Sequence, residues 1–111
     1  MPDTVRTVVY QFSQQIKMIF GSHLSKIIVY GSYVRGDYQD NSDVDMMILV
    51  DLTEEEIKAK ENLVYDAAFD TEMKTGVDIS PVIKNEIQYE YWRDVLPYYR
   101  NVSEEGVVVN G

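Results

Sequence analysis

The sequence predicts an α/β (α+β) fold, a small mixed sheet flanked by helices. Three observations predict it. Segments with apolar residues at helical spacing alternate with short apolar runs of strand length. Gly21, Gly31, Gly36 and Gly76 punctuate those segments. The chain has 111 residues and is 45% hydrophobic, which suits one core, so 1–111 reads as a single domain.

The elements follow in order. Over residues 3–20, Val5, Val8, Val9, Phe12, Ile16, Ile19 and Phe20 fall on one helical stripe, and Gly21 ends it. Residues 26–30, Lys-Ile-Ile-Val-Tyr, read as a buried strand that runs into Gly31-Ser32. Residues 33–42 are polar and turn-prone. Residues 43–51 form a second strand, polar at its start and apolar through its middle. Thr53 with Glu56 makes a capping box, so a helix begins there. Its inward face is expected to be Ile57, the stem of Lys60, Leu63, Val64, Ala67 and Ala68, with Gly76 as its stop. Residues 77–83 form a third strand, and Pro81 puts part of it at an edge or bulge. A helix is expected over about 85–95, with Ile87, Tyr91 and Val95 on its inner face, before Pro97 disturbs the chain. Val107 to Val109 add a last short strand.

Composition narrows the chemistry. There is no cysteine, which excludes disulfides and thiolate metal sites. His23 is the one histidine, so a multi-histidine zinc site is excluded and His23 itself reads as a surface or capping residue. Any metal must sit on oxygen, which points to magnesium, manganese or calcium. The net charge is −9 with scattered basic residues, against a duplex-binding face. The charged start and the brevity of the longest aliphatic run, Met46 to Val50, lead us to expect a soluble, cytoplasmic protein without a membrane span.

Three features can carry chemistry. Gly31-Ser32 follows a buried strand. Glycine lets backbone come close to a ligand, and Ser32 can cap a short helix whose first N–H groups meet an anion. On its own the pair is a weak signal and reads as a plain turn. Asp43 and Asp45 share a strand face, with Cα atoms about 6.5 Å apart at the usual rise. They can share a hard dication; without one they repel, or they are simply a solvated loop edge. Asp78 begins the third strand and faces that pair if strands 43–51 and 77–83 are neighbours. Asp51 lies about 26 Å along the strand from Asp43, too far to take part. Asp66 and Asp70 read as a solvated helix face.

Gly31-Ser32, ten intervening residues, then Asp43-Val44-Asp45 resembles the polymerase-beta-like nucleotidyltransferases, and among them the minimal nucleotidyltransferases (MNT). The likeness is detailed over about 26–83 and looser through Arg100-Asn101-Val102 and Glu105-Gly106-Val107. The resemblance implies that Gly31 and Ser32 hold a triphosphate, and that Asp43 and Asp45 bind two Mg2+ ions. It implies a third carboxylate, for which Asp78 is the candidate. Arg35 either touches phosphate or pairs with Asp37 or Asp40. The implied reaction is transfer of AMP from ATP to a hydroxyl. One ion activates the acceptor and the other steadies the departing pyrophosphate. Minimal members commonly pair with a helical HEPN-domain RNase toxin, so the implied role is antitoxin, adenylylating a tyrosine of that partner. The alternatives are a non-catalytic nucleotide- or partner-binding module, and a small-molecule adenylyltransferase completed by a partner subunit. Tyr89, Tyr91, Trp92, Tyr98 and Tyr99 cluster late in the chain. Tyr91 is expected in the core, and Tyr89, Tyr98 and Tyr99 are open between core and interface. A homo-oligomer or a partner chain would cover the sheet edge.

Overall fold

Helix α1 (Asp3–Phe20) forms where the first apolar stripe predicts it, and Val5, Val8, Val9, Phe12, Ile16 and Phe20 are buried. The computed structural model describes residues 1–109; Asn110 and Gly111, the end of the expected 1–111 span, lie outside the described residues. A short 3-10 turn, Gly21–His23, leads into β1 (Leu24–Tyr30). There follow α2 (Ser32–Arg35), β2 (Val44–Val50), α3 (Glu54–Thr75), β3 (Ile79–Asn85), α4 (Glu86–Trp92), α5 (Pro97–Glu105) and β4 (Val107–Val108).

The four strands make one mixed sheet in the order β3-β2-β1-β4. β1 runs antiparallel to both β2 and β4, while β2 and β3 are parallel. Parallel neighbours need a crossover, and the 22 residues of α3 supply it. Its start is the predicted capping box: Thr53 Oγ1 accepts the Glu56 N–H at 3.2 Å and Glu56 Oε1 accepts the Thr53 N–H at 3.0 Å.

β2 is central, and every one of its residues but Asp45 is buried. Val44, Met46, Ile48 and Val50 join Ile27, Val29, Ile79 and Ile83 under α1 and α3. Met47 and Leu49 join Ile28, Tyr89 and Val102 on the other face, under α4 and α5. Strand alternation therefore sends Asp45 to the α4–α5 side. Pro81 lies in β3, an edge strand, where its missing N–H leaves no ladder bond unmade.

The structure corrects four expectations. Leu63 is 54% exposed, because it lies about 100° round the helix from buried Val64. The helix expected over 85–95 stops at Trp92, so Ile87, Tyr91 and Val95 are exposed and Tyr89 is the buried ring. Pro97 starts α5 rather than disturbing the chain, since the first helical position needs no N–H. Ser32 makes no side-chain cap; Gly31 holds the cap position and Ser32 is the first helical residue. His23 is at the surface as expected, with Nδ1 2.7 Å from Asp51 Oδ1.

Candidate active site

β1 ends where β2 and β3 begin, so one end of the sheet gathers the glycine turn and the three aspartates. Tyr30 is the register partner of Asp45, and Val44 is that of Ile79. The Val44 N–H donates to the Asp78 carbonyl at 2.8 Å, which locks the two strand starts together. This pairing is the neighbour relation on which Asp78's candidacy depends. Asp51, at the opposite end of β2, is occupied by His23.

The carboxylates are pressed together. The Asp43 carboxyl is raised above the ordinary range, first by a hydrogen bond with the Asp78 carboxyl, then by partial burial and by the Asp78 charge. Asp45 is raised by burial first and by the Asp43 charge second; Arg35 pulls it down and Glu105 pushes it up. Among the described residues no three acidic or imidazole groups converge into a ready-made metal cage. A pair beside a third carboxylate nevertheless fits a hard dication such as Mg2+, which takes one or two carboxylates and completes its shell with water and substrate phosphate. An ion held there would relieve the repulsion between these carboxylates.

Gly31 has φ 85° and ψ −157°, and it is buried. A Cβ on Gly31 would collide with Asp45 Oδ2 and come within 3.2 Å of its Cγ. Backbone and carboxylate thus approach as only glycine allows. The turn is closed by N–H donors of Val34 and Arg35 on the Gly31 carbonyl, at 3.1 and 3.0 Å. The amides of Ser32 and Tyr33 belong to the first turn of α2, whose N–H groups have no intrahelical acceptor.

Arg35 pairs with Asp37 at 3.4 Å and, across the fold, with Glu105 at 3.2 Å; among the described residues Asp40 is not one of its partners. The same Glu105 Oε1 accepts the Gly31 N–H at 3.1 Å. On the α5 side, the Tyr30 and Tyr98 hydroxyls lie 2.6 Å apart. Burial, the largest cause, raises both phenols; Asp45 adds to each, so both stay protonated at neutral pH. Sequence reasoning missed Glu105 and the Tyr30–Tyr98 wall. Glu105 lies 74 residues from Gly31, and no local pattern reports that contact. On the opposite side a polar cleft of about 400 Å³ adjoins Asp78, lined in part by Tyr33, Asp40, Asn41, Ser42 and Glu72.

Comparison with known proteins agrees with this arrangement. Residues 9–108 match the model of the nucleotidyltransferase domain. Two Methanocaldococcus jannaschii proteins, each named "putative protein adenylyltransferase", are similar along most of their length. One is 31% identical over 99 residues, covering 89% of this chain and 91% of that protein. The other is 34% identical over 92 residues, covering 82% and 91%. A crystal structure described as a putative nucleotidyltransferase from Sulfolobus solfataricus superposes with TM-score 0.57 at 17% identity, over 95% of this chain and 80% of that one. A structure described as a putative minimal nucleotidyltransferase gives 0.55 at 18%, over 95% of each. The last two show the shared fold. Among the described residues, no helix is long and apolar enough to cross a membrane.

Proposed function

Since the chain belongs to the nucleotidyltransferase domain family and is a nucleotidyltransferase, we propose that it transfers AMP from ATP, with Mg2+, to a protein hydroxyl. The observation that carries this reading is the gathering of Asp43 and Asp45 at the start of β2 and Asp78 at the start of β3, beside the Gly31 turn that ends β1. Gly31 and Ser32 bind the triphosphate through backbone N–H groups, which reach it because no side chain intervenes. Asp43, Asp45 and Asp78 hold the metal. A dication bound there supplies positive charge to the phosphates and lowers the pKa of the acceptor hydroxyl. The chain's own carboxylates orient that hydroxyl, and the third of them, Asp78, helps take up its proton. Arg35, at the rim of the turn, meets phosphate charge.

The acceptor proposed is a tyrosine of a HEPN-domain toxin, with this chain as its antitoxin. Support comes from the resemblance to minimal nucleotidyltransferases and from relatives whose names specify protein adenylylation. The exposed Ile87, Tyr91 and Val95 give a partner apolar surface to cover.

A titration with ATP, with and without Mg2+, beside Asp43→Ala/Asp45→Ala tests the nucleotide site. Mg2+-dependent binding that vanishes in the double variant supports it. Binding that survives the double variant removes these aspartates from the site. Transfer is then read as AMP incorporation into a HEPN partner and its Tyr→Phe variant.

A further inference from the structure

Glu105 is the last residue of α5. A carboxylate there faces the negative end of the helix dipole, so the helix itself does not favour it at that place. Its partners lie elsewhere. Oε1 accepts the Gly31 N–H at 3.1 Å and an Arg35 Nη1–H at 3.2 Å, and Oε2 stands 3.4 Å from the same Nη1. The side chain is 26% exposed, against 49% for Arg35. Its placement is built in. A Cβ on Gly106 would collide with Ile28 Cγ2 and with the Val102 carbonyl, so glycine lets the end of α5 press against β1. Val102, 1% exposed, anchors the preceding turn.

The groups that Glu105 engages are a backbone N–H of the glycine turn and the guanidinium beside it. Both are donors suited to a phosphate oxygen, and a carboxylate presents two oxygens much as a phosphate does. The same negative charge bears on Asp45. We propose that Glu105 sets the nucleotide affinity of this site: it occupies the Gly31 N–H and Arg35, and the triphosphate must displace it. This rests on the nucleotide reading of the turn. Displacement frees Arg35 for phosphate.

The test is equilibrium titration of the full chain with ATP plus Mg2+, and separately with inorganic tripolyphosphate. Wild type, Glu105→Ala, Glu105→Gln, Arg35→Ala, Arg35→Ala/Glu105→Ala and Asp43→Ala/Asp45→Ala are compared after a thermal melt shows each folded. Glu105→Ala is expected to bind both ligands about 3- to 10-fold tighter, the scale of one partly exposed charged pair and one charged hydrogen bond. Glu105→Gln, which keeps the size and an acceptor, is expected to fall between and carries the test if the alanine variant fails to fold. The gain should shrink when Arg35 is already absent. A structural role alone would weaken binding. Glu105 variants equal to or weaker than wild type, including no binding by any of them, overturn the inference. If ATP binding is lost in Asp43→Ala/Asp45→Ala while Glu105 variants gain nothing, only the inference fails. If they gain for tripolyphosphate while ATP binding ignores the aspartates, the aspartate reading fails and the inference stands.

Discussion

Replacing Gly31 by alanine separates what the turn does for stability from what it does for the site. At φ 85°, ψ −157°, the backbone occupies a region almost reserved for glycine; a side chain there costs about 1–3 kcal/mol. For a domain near this size each kcal/mol lowers Tm by about 4–8 °C, so the expected loss is on the order of 4 to 24 °C. The new Cβ also meets Asp45 Oδ2, the free end of a side chain. Rotating that carboxylate away is cheap for the fold and removes it from the metal site. Mg2+-dependent ATP binding should therefore fall further than the melt explains. Gly36→Ala is the control. Gly36 also has positive φ, 90°, but a Cβ there meets nothing within 4 Å. It should destabilise by about 1–2 kcal/mol and leave binding nearly intact. Melts by circular dichroism and calorimetric titration below both midpoints measure the two effects. If Gly31→Ala binds Mg-ATP as wild type does, Asp45 is not where the nucleotide site needs it, and the argument from close approach fails.

Further outcomes test other parts. Asp43→Asn should raise the Tm of the metal-free protein at pH 7. A carboxyl raised by Asp78 contributes stability that is present at low pH and lost as pH rises through its elevated value, and asparagine removes that loss. Because Asp43 is mostly exposed, screening limits the gain to a few tenths up to about 1 kcal/mol; an unchanged Tm from pH 4 to pH 8 would contradict the close Asp43–Asp78 pair. Thr53→Ala should cost about 0.5–2 kcal/mol by removing the α3 cap. The Glu56 carboxyl is held below its usual value, chiefly by the Thr53 N–H and then by the Thr53 hydroxyl. Its contribution is present above the ordinary carboxylate range and fades as pH falls through the lowered value; the variant keeps the backbone N–H, so only the hydroxyl's smaller share of the deficit should narrow in acid. On α3, Ile57→Ala should cost about 2–5 kcal/mol, and Leu63→Ala no more than about 0.5 kcal/mol in chemical denaturation; the reverse order would reinstate Leu63 in the core.

Much of the fold was legible because local signals agreed with tertiary need. The Thr53–Glu56 box, the α1 stripe and the apolar middle of β2 each name an element by themselves. Asp43 and Asp45 could be paired from strand alternation, and Asp78 joined them once β2 and β3 proved adjacent. Leu63 and Tyr91 went astray for one reason. A stripe of apolar residues fixes a helix face only within about a third of a turn, and sheet contacts choose the rest. Pro97 was ambiguous because the residue that ends one helix is also favoured at the start of the next. Glu105 stood in the looser stretch of the resemblance, and its contact could not be read. Its meaning comes from a contact with Gly31 and Arg35 across the fold, while along the chain it is one acidic residue among 19.

That acidity bears on how a nucleotide reaches the site. The chain carries −9, and the candidate site adds Asp43, Asp45, Asp78 and Glu105 around a single nearby guanidinium, Arg35. A metal-bound triphosphate is itself an anion, so its approach is opposed until it meets the local donors. At about 0.01 M salt the Debye length is about 30 Å, and at 0.15 M about 8 Å. The Cα radius of gyration is 13.4 Å, so at low salt the whole molecule's charge is felt at the site, and at physiological salt only the nearest groups are. Association of Mg-ATP should therefore quicken as salt rises from about 0.01 to 0.15 M, the reverse of a basic phosphate site. Stopped-flow binding at constant free Mg2+ measures it. Glu105→Ala, with one negative charge fewer at the turn, should show a shallower rise. A rate that falls with salt would mean that local positive charge governs the approach, and that Arg35 with its neighbours outweighs the carboxylates even before the nucleotide arrives.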